Sequence, residues 1–167
     1  METLRGYVSQ SRNQTSRLTA LVCQANILVD QTCHARLADF GLLTVLSEST
    51  TSNGTIRWMS PELLDPNIQD HRPTKCSDCY GLGMVIYEVL SLRVPFYQYA
   101  DLSIFEKVMQ GDRPKRAEGV EGAWFTDYIW KLLKLCWVPT PRKRPSIDDV
   151  LHCLEKASNS RIQPSPA

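Results

Sequence analysis

No stretch of this sequence is both long and apolar enough to cross a bilayer. The longest apolar run, Gly81 to Val89, contains Glu88 and falls far short of the roughly 20 residues a span requires. An excess of one charge is missing too: 19 Lys and Arg face 18 Asp and Glu, a net of +1. That balance argues against a nucleic-acid or membrane-surface binder driven by bulk charge. No secretory leader precedes the six cysteines, Cys23, Cys33, Cys76, Cys79, Cys136 and Cys153, so reduced thiols and a cytoplasmic location are expected. Cys76 and Cys79 form a C-x-x-C, but no second pair or nearby histidine completes a metal set. Small buried side chains are the simpler reading of that pair, with zinc or redox chemistry the other. No internal repeat is present.

What is present is one domain's worth of chain, 167 residues and 43% hydrophobic, enough to bury a core. Residues 1–22 stand apart: rich in Ser, Thr, Gln and Arg, with Glu2 their only acid and no apolar period before Leu18. They fit a poorly ordered tail or a transit peptide. From Ala25 the character changes. Ile27 to Val29 and Ala35 to Ala38 are strand candidates around the polar turn Asp30 to His34, which predicts a hairpin. A Ser/Thr-rich loop follows from Leu43 to Thr55. Ser77-Asp78 reads as a helix start, and Tyr80 to Leu90 is apolar almost all round, the pattern of a helix buried in mid-domain. Asp101 is a candidate cap for a helix ending at Gly111. Trp124 to Trp137 carries one apolar face, and Ser146 to Asp149 resembles a capping box opening a last helix through Leu154. Residues 157–167 read as a disordered tail.

Chemistry concentrates around Ala38-Asp39-Phe40-Gly41-Leu42, directly after a strand candidate. Asn26 lies at the start of the preceding strand, and Gly54-Thr55-Ile56-Arg57-Trp58-Met59-Ser60-Pro61-Glu62 closes the polar loop that follows. Farther on come Lys75 to Gly83, Leu92 to Phe96, and Leu135-Cys136-Trp137-Val138-Pro139-Thr140-Pro141-Arg142-Lys143-Arg144-Pro145. In this order the motifs resemble the eukaryotic protein kinase family over residues 23–156. The resemblance implies the fold class of a kinase C-lobe, mainly α with a small β-hairpin and no N-lobe. It implies ATP and Mg²⁺ as cofactors, with Asn26 and Asp39 as the hard oxygen ligands of the metal. Taken singly, Asn26 also reads as a cap and Asp39 as a turn residue.

By the same resemblance Glu62 and Arg144 form a buried ion pair, and Asp78 accepts backbone hydrogen bonds from the catalytic loop. Thr55 marks the substrate loop of Ser/Thr kinases, and Arg57-Trp58-Met59 points to the tyrosine-kinase-like group. Ser47, Ser49, Thr50, Thr51 and Ser52 sit where activation loops are phosphorylated; a solvated polar loop is the plain alternative.

The pattern also fails at defined places. The family's His-Arg-Asp belongs at positions 19 to 21, where this sequence has Thr19-Ala20-Leu21. Leu21 therefore replaces the catalytic Asp, and Cys23 replaces the Lys that contacts the transferring phosphate. Loss of a general base alone costs about 10²–10⁴-fold. Only 25 residues precede Asn26, and none resembles the Gly-rich loop or the strand Lys. The expected function is thus a partial kinase domain, inactive alone, whose partners are a protein substrate or another kinase. A scaffold or decoy of pseudokinase type and a non-functional truncated product are the alternatives. Without the helix that precedes the catalytic loop, the central helix is expected to expose an apolar groove.

Overall fold

The computed structural model describes residues 2–3, 27–29, 35–37, 56–69, 72–118 and 124–162, with side chains described between 56 and 157. Three short strands form one antiparallel ladder: β1 (Glu2–Thr3), β2 (Ile27–Val29) and β3 (Ala35–Leu37), in the order β1-β2-β3. The expected hairpin is β2–β3, paired Ile27 to Leu37 and Val29 to Ala35. β1 was not expected: Glu2 and Thr3 pair with Val29 and Leu28, inside the stretch read as a poorly ordered tail. An edge strand leaves a row of backbone donors and acceptors open, and two extended residues satisfy part of that row whatever their side chains.

The rest is helical. A 3₁₀ turn at Ile56–Trp58 leads into α1 (Pro61–Leu64), opened by Pro61 at its first position, where a missing N–H costs nothing. The central helix α2 runs from Lys75 to Ser91. It starts two residues before the expected Ser77-Asp78, because Thr74 and Ser77 cap each other. Thr74 Oγ1 accepts the Ser77 N–H at 3.2 Å and Ser77 Oγ accepts the Thr74 N–H at 2.7 Å. The helix stops at Leu92, whose φ of 62° is left-handed. That conformation is costly for a residue with a Cβ.

Helix α3 (Asp101–Met109) is not capped by Asp101. Ala100 holds the cap position without a side-chain bond, and Asp101 is the first helical residue. Gly111, with φ of 88°, follows the helix end as a glycine stop does. Helix α4 (Asp127–Cys136) is shorter than the apolar pattern, since Thr126 accepts the Ile129 N–H and sets the start. Phe125 and Trp137 flank the helix and are nonetheless buried. A second 3₁₀ turn (Pro141–Lys143) precedes α5 (Ile147–Ile162). The capping box is there: Asp149 Oδ2 accepts from Ser146 N–H and Oγ–H, and Ser146 Oγ accepts the Asp149 N–H. Helical backbone to Ile162 carries α5 into the stretch expected as tail.

The core forms between α2 and α4. Tyr80, Met84, Ile86 and Tyr87 of α2 are buried, as are Ile129, Leu132 and Leu133 of α4. Tyr87, Phe125, Trp130 and Trp137 form a chain of tilted and edge-on rings with centroids 5.6 to 6.0 Å apart, geometry that adds to plain burial. On the central helix Leu82, Val85, Val89 and Leu90 are half-buried rather than exposed. No helix among the described residues is long and apolar enough to cross a membrane.

Close approach of α2 and α4 depends on Gly83. A Cβ placed there would lie 2.8 Å from both Cys136 Cβ and Trp137 Nε1, atoms held by a rigid helix end and an indole. Gly83→Ala is therefore expected to destabilise the chain by about 1–3 kcal/mol. A lowered urea midpoint with unchanged m-value checks this; an unchanged midpoint contradicts it.

Candidate functional site

Arg144 emerges from the second 3₁₀ turn into the protein interior, its side chain fully buried. A guanidinium carries five N–H donors in a fixed plane, and every one finds an acceptor here. Nη1 donates to Glu62 Oε1 at 2.6 Å and to the Cys76 carbonyl at 2.9 Å. Nη2 donates to Glu62 Oε2 at 2.8 Å and to the Pro139 carbonyl at 3.4 Å. Nε donates to the Val138 carbonyl at 3.0 Å. The Tyr80 ring lies beneath, 5.1 Å from the guanidinium carbon. The two-point contact with Glu62 is the strong fork-to-fork form of an ion pair.

Glu62 is placed by α1, which starts at Pro61 immediately after the buried Ser60. Burial pushes its carboxyl pKa up, but hydrogen bonds from Arg144 and its own backbone N–H, together with the Arg144 charge, outweigh burial and hold it below its ordinary value. Tyr80 shows the opposite balance. Burial pushes its phenol up to about 12, although Arg113 and Arg144 both lie near.

A second guanidinium organises the segment from Pro95 to Asp101. Arg57 donates Nη1 to the Pro95 and Phe96 carbonyls, both at 2.8 Å, and Nη2 to the Tyr99 carbonyl at 2.9 Å. Its Nε reaches Asp101 Oδ1 at 2.8 Å. Phe96 is fully buried and left-handed, with φ of 56°. Backbone in that region persists only where its surroundings over-determine it, and Arg57 supplies three of the constraints. Next to it, Trp58 Nε1 donates to the buried carboxylate of Glu88 at 3.1 Å. Glu88, read in the sequence only as a break in an apolar run, is thus part of the site's support. Nothing in the spacing of Arg57, Glu88 and Asp101 signalled these contacts.

Of the residues singled out in the sequence, the structure brings Glu62 and Arg144 together and places Asp78 on the exposed first turn of α2. Leu21, Asn26, Asp39, Thr55, Ser47, Ser49, Thr50, Thr51 and Ser52 lie outside the described residues. An amide oxygen and a carboxylate are the hard donors Mg²⁺ prefers. Among the described residues no group of three His, Cys, Asp or Glu is placed to hold a metal.

The protein kinase domain pattern fits residues 22–154. This chain belongs to the protein kinase domain family. Among curated relatives, a probable serine/threonine-protein kinase of Dictyostelium discoideum is 30% identical over 82% of this chain. Serine/threonine-protein kinase STY17 of Arabidopsis thaliana is 31% identical over 79% of it, and the dual specificity protein kinase pyk3 of Dictyostelium discoideum 30% over 98%. Those proteins are far longer: the chain spans 14%, 22% and 11% of their respective lengths.

The kinase-domain ion pair gives a pH signature. A carboxyl whose folded pKa is lowered contributes stability in full above its unfolded pKa and loses it as pH falls through the folded one. The stability gap between the native chain and Glu62→Gln should therefore be constant from about pH 7 down to about pH 5 and narrow below the ordinary glutamate value of 4.5. Urea midpoints of both proteins across that range test it; a gap that widens in acid contradicts the assignment.

Proposed function

We propose that this chain is the C-lobe part of a Ser/Thr-type kinase domain of the tyrosine-kinase-like group, and that it does not transfer phosphate by itself. The observation that carries the proposal is Leu21, a side chain with no proton-accepting atom where the family places its catalytic Asp. Ala20 and Cys23 extend the loss to the loop-reading Arg and the phosphate-contacting Lys. Phosphoryl transfer depends on positioning and charge stabilisation, so the loss is not made good by the remaining groups.

The Ser/Thr assignment is supported by the names of the relatives and by Thr55. The group assignment is supported by Arg57-Trp58-Met59. Asn26 and Asp39 are the residues that would hold Mg²⁺ against ATP phosphates, where the metal would offset phosphate charge. Ser47, Ser49, Thr50, Thr51 and Ser52 are the candidate phosphorylation sites, and the protein acts in the cytoplasm on or beside other proteins.

A second reading is a scaffold or decoy that binds kinase partners. It is favoured by a contrast: the fold-holding Glu62 and Arg144 are in place and fully engaged, while the catalytic triplet is gone.

Purified chain incubated with MgATP and a generic Ser/Thr substrate should incorporate no more phosphate than its Asp39→Ala variant. Incorporation that is measurable and lost in Asp39→Ala would overturn the proposal.

A further inference from the structure

Arg113 commits only part of its guanidinium to the fold. Nε donates to the Trp137 carbonyl at 3.0 Å, and Nη1 donates to the Val108 and Asp112 carbonyls at 3.3 and 2.7 Å. The Tyr80 ring lies 5.4 Å from the guanidinium carbon. The group is thus fixed in place, yet Nη2 still carries two N–H donors and meets no acceptor among the described residues.

That arginine lines a cavity of about 300 Å³ between the segment after α3, helix α4 and the segment after α4. Pro114 and Pro139 build its walls with Trp130 and Trp137, and Lys134 is its second cation; a glycine and a valine complete the lining. Lys134 is exposed and has no ion-pair partner among the described residues. No acid among the described residues lines the cavity. Asp112, adjacent to Arg113 in sequence, turns its carboxylate to Lys107 at 3.8 Å.

The lining selects a ligand by what it omits. Arg, Lys and Trp side chains donate hydrogen bonds and accept none. Sugars and nucleosides carry hydroxyl and amino donors that would meet no side-chain acceptor here, and a cation would meet two like charges. The match is a flat apolar body with an acceptor-only anionic head. Two cations at one head favour a dianion over a carboxylate. A volume near the lower end of the range for ligand pockets, about 300–1,000 Å³, holds one ring and its head group.

We propose that this cavity binds an aryl phosphate, presented as the phosphotyrosine side chain of a partner protein. Its ring lies against Trp130 and the two prolines, and its phosphate takes the free Nη2 donors of Arg113 and the Lys134 ammonium. Phosphate supplies three strong acceptor oxygens and close to two negative charges, and its bonds to a guanidinium are of the strong charge-assisted kind. Unmodified tyrosine brings no charge, so binding depends on the modification.

The test is calorimetry on the full chain with a short peptide carrying one phosphotyrosine among glycines. Binding is expected, with displacement by phenyl phosphate and none by inorganic phosphate at the same concentration. The matching tyrosine and phosphoserine peptides should not bind. Lys134→Met should weaken binding about tenfold, the scale of one hydrogen bond to a charged group. Lys131→Met, also exposed on α4 but outside the cavity, should leave it unchanged. Because Arg113 also ties backbone segments together, the surface position Lys134 carries the decision. Equal binding of the tyrosine or phosphoserine peptide overturns the proposal, as does displacement by inorganic phosphate as readily as by phenyl phosphate. So does an equal effect of the two lysine substitutions, or no binding of the phosphotyrosine peptide at millimolar concentration.

Discussion

Arg144 sits in the interior as a full positive charge without exposed surface, and a buried charge left unpaired is among the costliest things a fold can contain. The surrounding chain is arranged as if to meet that demand. The carboxylate comes from α1, one carbonyl from the first turn of α2, and two from the segment after α4. Segments up to 82 residues apart are thereby fixed around one guanidinium plane. Such a pair contributes little over a well-packed apolar substitute, yet removing one partner alone costs about 3–5 kcal/mol. The constraint is therefore mutual: neither the Ser-Pro-Glu element nor the Arg-Pro turn tolerates independent change.

Arg57 repeats the device closer to the surface. It collects carbonyls from a tight turn whose buried Phe96 has a left-handed backbone, and it diverts Asp101 from capping α3. Trp58 donates to Glu88 and so ties the 3₁₀ turn to the central helix. Residues 56 to 62 are thus held by polar bonds, and the packing of α2 against α4 by the aromatic chain from Tyr87 to Trp130.

The sequence was informative where the signal is local. The polar turn between Ile27 to Val29 and Ala35 to Leu37 is bounded by extended-chain formers, and the β2–β3 ladder is found there. The Ser146–Asp149 box needs only four consecutive residues. Cap choice was legible less reliably: Ser77-Asp78 read as the helix start, but Ser77 serves as the third residue of a box begun by Thr74. The contacts made by Arg57, Glu88 and Asp101 join residues 30 to 44 apart and follow no period. The Glu62–Arg144 pair was accessible only through resemblance to kinases, since nothing about either residue alone distinguishes it from a surface charge.

A double-mutant cycle measures the central interaction directly, with Glu62→Gln, Arg144→Met and the double variant compared by urea denaturation. Each single variant should lose about 3–5 kcal/mol, and the double variant should lose clearly less than their sum, because removing both partners leaves no orphaned charge. Losses that simply add would contradict the account, since Arg144 and Glu62 would then be stabilising the fold independently.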